Sequence, residues 1–399
     1  MILILSLSEL DVNRMIIQIQ STRIAQKMST KLQALKQKIG QKMIIGFMGT
    51  EVSDALKKIS QEWAIGGYIL FRRNLVDLKQ SYDLIDDLKA INRSRSQDHL
   101  GPLIAVDEEG GKVCRVPLPF SRMPAMANVG LVYEQTQDFS IAHQVGQVLG
   151  TELKALGFNL NFAPVVDVNS NPLNPIIASR AFSDQSEIVG LLAEQLILGM
   201  QQEGVMPCVK HFPGHGDTLE DSHLGMATCH HSIEALERIE LLPYQHLFQN
   251  HRVDLLMSAH VKYPAVDPNF PATLSKKWIK EILRGEMGYS GVVVSDDLEM
   301  QGIEALFDRN QVAELGLEAD LDIFLVCQHL DKQVEILEAI LRQIEMGKYS
   351  MDQLDQSLTR INRLKQKYRI NHQTSYTWAE VQAIVGNEKH QAVVAQLKI

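Results

Sequence analysis

The stretch Gly291–Met300, "GVVVSDDLEM", runs three valines straight into Ser295, Asp296 and Asp297. Consecutive β-branched residues without alternation read as a strand buried on both faces, the pattern of a parallel sheet. The polar group marks where the chain leaves that sheet. Similar β-rich runs occur at Met43–Met48, Gly67–Phe71, Leu103–Val106, Leu160–Val168, Val205–Val209, Leu255–Val261 and Ile323–Cys327. Between most of them lie segments with helical apolar spacing, such as "LVDLKQSYDLIDDLKAI" and "QSEIVGLLAEQLILGMQQEG". Strands alternating with helices in this way predict an α/β fold, a (β/α)8 TIM-type barrel. A doubly wound open sheet fits less well, because the strand count favours closure and no Gly-rich dinucleotide fingerprint follows the first strand.

The chain has 399 residues, 45% apolar and 22% charged, with a formal net charge of -9. That balance argues against a nucleic-acid or anionic-membrane surface, while permitting a local cationic pocket. Cys114, Cys208, Cys229 and Cys327 stand far apart with no Cys-x-x-Cys pair, so free thiols are expected. The opening "MILILSLSELD" has no basic residue before its apolar run and is too short to span a membrane. Residues 1–27 read as an extension, with Met28 as an alternative start. Residues 28–370 read as the barrel and 371–399 as a helical tail packed on it.

In such barrels chemistry sits at the C-terminal ends of the strands. The residues expected there are polar: Arg72, Asn74, Asp107, Glu108, Asp167, Asn169, Lys210, His211, His260, Asp296, Asp297 and Gln328. The loop "VKHFPGHGDTLEDSH", Val209–His223, is rich in histidine, but Pro213 and Gly214 prevent His211 and His215 from forming a helical metal pair. A three-histidine loop site is the metal alternative, and no metal or cofactor is assigned. Asp221 stands two residues before His223, close enough for its carboxylate to fix the imidazole tautomer and raise its basicity. His223 is therefore a candidate general acid/base. Asp296, where the chain leaves its strand, is a candidate nucleophile toward an anomeric carbon. Capping of the following helix is assigned to Asp297.

Together "KHFPGHGDTLEDSH", "SDDLEM", "DEEGGKVCR" and "NFAPVVDV" resemble family 3 glycoside hydrolases, specifically the β-N-acetylglucosaminidase branch acting on peptidoglycan fragments. The resemblance runs from about residue 34 to 368, and β-glucosidases of that family lack the Asp-Ser-His ending of the histidine loop. It implies Asp296 as nucleophile, His223 as acid/base and Asp221 as its partner. It implies Asp107, Arg115, Arg180, Lys210 and His211 as substrate-binding residues. "ASRAF" around Arg180 and Lys112 after the glycine pair depart from the family pattern, and these departures bear on specificity.

What the resemblance implies is a retaining exo-glycosidase that removes terminal β-linked N-acetylglucosamine from muropeptides, needs no cofactor, and acts in the cytoplasm. Its partner is a small-molecule substrate, with no nucleic acid or membrane. A β-glucosidase, an N-acetylglucosaminide phosphorylase, a substrate-assisted hexosaminidase using Asp107 and Glu108, and a non-catalytic sugar-binding barrel are the alternatives.

Overall fold

In the computed structural model, residues 26–91, 93, 100–218, 225–371 and 376–398 are described. Of the extension expected over 1–27, residues 1–25 lie outside them, and a helix runs over 26–40. The strands are β1 Met43–Ile45, β2 Gly67–Leu70, β3 Leu103–Val106, β4 Leu160–Asn161, β5 Met206–Pro207, β6 Val209–Phe212, β7 Ala227–Thr228, β8 Leu255–Ser258, β9 Val261–Tyr263, β10 Asp267–Pro271, β11 Val292–Ser295 and β12 Phe324–Val326.

Parallel pairing runs β12-β1-β2-β3-β4-β5 in order. Only Cys208 separates β5 from β6, which pairs with β8, and β8 pairs with β11, again in parallel. A parallel bridge between Val294 and Ile323 joins β11 to β12. There the Ser295 N–H donates to Ile323 O at 3.0 Å, and the Leu325 N–H donates to Ser295 Oγ at 2.9 Å. The pairing returns to its start after all eight expected strands, as a TIM-type barrel requires. Buried aliphatic side chains on β1, β3, β8, β11 and β12 form its centre.

The outer helices are fixed by caps and close packing. Asp77 accepts the Gln80 N–H at 2.9 Å and starts the helix Leu78–Ala90. The helices Ser140–Leu156 and Ser186–Gln202 meet at Gly146, where a Cβ would collide with the Leu196 carbonyl oxygen. At the N-terminal end of the barrel, buried Lys42 donates to Leu321 O at 3.0 Å and to Ser357 Oγ at 2.6 Å. Asp322 takes up Arg284 and Arg360 at 2.7 and 2.8 Å.

Several strands are shorter than the sequence suggests. The run Leu160–Val168 forms a continuous strand only over β4, with one further parallel bridge from Val165 to Lys210, because the Asn161 amide bonds the Glu108 N–H and C=O, both at 3.0 Å, and Pro164 has no N–H to give. The run Leu255–Val261 splits into β8 and β9, the latter pairing with β7 and β10 in a small separate sheet. Conversely the fifth strand extends to Phe212, so Lys210 and His211 lie on β6 itself.

After the barrel come two helices, Trp378–Ile384 and Glu388–Gln396. They join it through buried Glu152, which accepts the Ser121 N–H and hydroxyl at 2.8 and 2.6 Å, the Gly386 N–H at 2.9 Å and pairs with His390 Nδ1 at 2.7 Å. Among the described residues, no helix is long and apolar enough to cross a membrane.

Candidate active site

Because every barrel strand runs the same way, the residues at their C-terminal ends converge. They line a cavity of about 270 Å³ that contains Asp107, Arg115, Arg180, Lys210, His211 and Asp296. Six of the eight site residues expected from sequence thus share one pocket. The other two, Asp221 and His223, lie outside the described residues.

Charge in the pocket is arranged in a chain. Lys210 Nζ lies 2.7 Å from Asp107 Oδ1 and 2.6 Å from Glu109 Oε1. Arg180 grips the same Glu109 with two parallel bonds, each 2.8 Å, from Nε and Nη2. Burial opposes ionisation of Glu109, but the two cations outweigh it and hold the carboxyl well below its usual range. Burial likewise works against the Lys210 ammonium, yet Asp107 and Glu109 raise its pKa and keep it charged. Arg115 lines the same cavity, and its Nε is shielded from solvent with no hydrogen-bond partner.

A second arrangement centres on Asp167. Its Oδ2 pairs with His211 Nδ1 at 2.7 Å, and its Oδ1 accepts the His215 N–H at 2.7 Å. Burial alone would raise the Asp167 carboxyl, but His211 and His215 lower it below the ordinary value. His215 itself is pushed down to about 4 by burial, so near neutral pH it is an uncharged imidazole, with Thr218 Oγ1 2.7 Å from Nδ1. The two histidines therefore meet on one carboxylate, without any helical turn between them.

Asp296 follows β11, its N–H bonded to Ser258 O at 3.1 Å and its Oδ1 accepting the Asp297 N–H at 2.8 Å. Burial penalises its charge, but His211, His260 and Lys210 outweigh the penalty and keep its pKa below that of a free aspartate. Its neighbour behaves oppositely. Burial, Glu299 and Asp296 push Asp297 up to about 7. Asp297 was expected to cap the next helix, but the helix Gln301–Glu304 has Met300 at its cap position with no side-chain bond. Instead Asp297 Oδ1 accepts the Glu299 and Cys327 N–H groups, both at 3.1 Å, tying the ends of β11 and β12 together.

The root of the histidine loop is held from several sides. Asn174 Nδ2 donates to His215 O at 2.7 Å and Gly216 O at 2.9 Å, and the Tyr263 hydroxyl donates to Gly214 O. Gly216 sits so close to Val168 that a Cβ would fall on its carbonyl oxygen. Other expected polar residues are structural. Asn74 Nδ2 bonds Phe47 O and Gly49 O at 3.0 and 2.7 Å, and Glu108 accepts the Arg115 and Val116 N–H groups at 2.7 and 2.9 Å. Glu109 was not singled out in the sequence, where it looks like one more acid in "DEEGG".

The family model for the glycosyl hydrolase family 3 N terminal domain matches residues 34–364. A beta-hexosaminidase A from Pseudoalteromonas piscicida is 34% identical over 369 residues, covering 88% of this chain and 61% of the relative, so the chain spans less than two thirds of that protein's length. The structure of a family 3 β-N-acetylglucosaminidase from Paenibacillus superposes with a TM-score of 0.83 at 38% identity, over 91% of this chain and 68% of that one. NagZ from Neisseria gonorrhoeae, solved with N-trifluoroacetyl-D-glucosamine, gives a TM-score of 0.73 at 33% identity, over 89% of this chain and 96% of that one. With a barrel whose strand ends assemble a carboxylate-rich, sugar-sized cavity, the chain belongs to glycosyl hydrolase family 3 and is a glycoside hydrolase.

Proposed function

We propose that the chain is a β-N-acetylhexosaminidase that releases a terminal β-linked N-acetylglucosamine with retention, through a covalent bond to Asp296. The observation that supports this most directly is Asp296 itself, an ionised carboxylate in the wall of the cavity that Lys210 and His211 also line. The cavity, about 270 Å³, suits one sugar ring, and the names of the similar proteins favour an N-acyl glucosamine.

In the first step an Asp296 oxygen attacks the anomeric carbon as the glycosidic C–O bond breaks, and the His223 imidazolium gives its proton to the leaving oxygen. In the second, the neutral imidazole takes a proton from water, which displaces Asp296 and restores both groups. Asp221 positions the imidazole. Asp107, Lys210 and Arg180, through the Glu109 bridge, form a rigid set of donors and acceptors for vicinal hydroxyls. The Arg115 side chain completes this wall of the cavity. The histidine-loop motif supports muropeptides as substrates.

The substrate-assisted reading needs Asp107 and Glu108 to face the substrate together, whereas the Glu108 carboxylate is occupied by the backbone of Arg115 and Val116. Release of nitrophenol from the β-N-acetylglucosaminide and the β-glucoside, with and without phosphate, tests the proposal. Turnover of the acetamido sugar without phosphate, abolished in Asp296→Ala, with a fluorinated sugar trapped on Asp296, is the expected result. Activity surviving in Asp296→Ala would overturn the nucleophile assignment, and preference for the glucoside would overturn the substrate.

A further inference from the structure

Apart from the residues that line the sugar cavity, Asp217, Cys229 and His231 place a carboxylate oxygen, a sulfur and an imidazole nitrogen within 4.8 Å of one another. We propose that these three side chains bind a zinc-class divalent cation, which clamps together the two chain segments flanking residues 219–224. Asp217 precedes that segment and Cys229 and His231 follow it, so one ion would fix both of its roots. Those roots hold Asp221 and His223 between them, so the clamp would set the position of the proposed acid/base, although the ion site itself does not depend on that role.

The donor set is the first argument. Mixed thiolate, imidazole and carboxylate ligands suit zinc, and three protein ligands leave a fourth tetrahedral position for water. Preorganisation is the second. The Cys229 N–H is bonded to Lys262 O at 2.9 Å next to β7, and Asp217 Oδ2 lies 2.7 Å from His231 Nε2. Tetrahedral ligands at zinc stand about 3.3–3.7 Å apart, so the pair has to separate by less than roughly 1 Å to admit the ion. Access is the third, since Asp217 and His231 are each about three-tenths exposed, at 27% and 31%, while Cys229 is buried.

Unused polar capacity lies at the same place. His231 Nδ1 is shielded from solvent with no hydrogen-bond partner, and so is Oε2 of buried Glu240. On binding, the ion takes the place of the Cys229 thiol proton, which passes to solvent.

Cobalt(II) titration of the chelator-stripped full chain tests the site by a readout independent of turnover. The wild type is expected to bind one equivalent with a near-ultraviolet thiolate-to-cobalt absorption, which zinc displaces and Asp296→Ala retains. Cys229→Ser should lose that absorption, and His231→Ala should weaken zinc binding at least tenfold. An ion lodged instead in the sugar cavity, which Cys327 also lines, would keep its absorption in Cys229→Ser, and that result would overturn the proposal. Absence of the band in the wild type, or zinc affinity unchanged in both variants, would overturn the proposal, and the wild-type spectrum decides without relying on the folding of any variant.

Discussion

Replacing Glu109 by glutamine removes one negative charge from a site where it answers two cations. Arg180 would lose both 2.8 Å bonds as charge-matched contacts and keep only a 3.3 Å bond to Ile176 O, while Lys210 would still hold Asp107 at 2.7 Å. Breaking one side of a buried ion pair costs about 3–5 kcal/mol. Lys210 remains paired and the Arg180 side chain is 19% exposed, so the lower end applies, about 3 kcal/mol. Urea unfolding at pH 7 measures this loss. The paired replacement Glu109→Leu with Arg180→Met should recover much of it, because no uncompensated guanidinium is left.

The same reasoning fixes the pH dependence. The Glu109 carboxyl is depressed in the fold, so its contribution is fully present above the unfolded value of about 4.3 and is lost as pH falls toward the folded value. Wild type and Glu109→Gln should therefore converge in stability on acidification. A loss below about 1 kcal/mol at pH 7, the level of an exposed pair, would refute the view that Glu109 anchors the pocket.

Other expectations follow from the same geometry. His223→Ala should slow turnover of substrates with poor leaving groups much more than activated aryl glycosides, and equal losses on both would remove the acid role. Asp297 has a folded pKa raised to about 7 against about 3.9 unfolded, so the fold binds the extra proton in that window and stability falls as pH rises through it. Asp297→Asn should flatten this fall in thermal melts from pH 4 to 8, and an unchanged slope would show that another group titrates there. Gly146→Ala should destabilise by about 1–3 kcal/mol in denaturant titrations, since the added methyl meets the Leu196 carbonyl across a tight helix pair.

The barrel was legible because eight apolar runs can be counted without knowing where they pair. Their ends were not, since where a strand stops depends on neighbours: the Asn161 amide takes over two backbone bonds, and Thr273 bonds Ala259 O where the chain turns away before β9. The pocket was legible through its strand ends, which is why Asp107, Lys210 and Asp296 could be named. Glu109 was hidden because, in a turn, adjacent acids face directions that no periodicity gives: Glu108 goes to the backbone and Glu109 to the cavity. Asp297 misled for a related reason, since a serine-aspartate pair before a helix reads as a cap, and only the adjacent β12 reveals that its oxygen is needed by Cys327.

Glu152 gives the order of assembly a physical meaning. During synthesis the barrel residues leave the ribosome ahead of residues 378–398, and domains begin to fold as they emerge. At that stage Glu152 has Ser121 beside it, but neither the Gly386 N–H nor His390, and the surface later covered by Val381, Val385, Val394 and Leu397 is bare. A nascent barrel is thus left with a half-satisfied buried carboxylate and an open apolar seat, the kind of surface on which chaperones act. Docking of the two helices satisfies both at once, so this segment works as a latch that closes over a completed barrel.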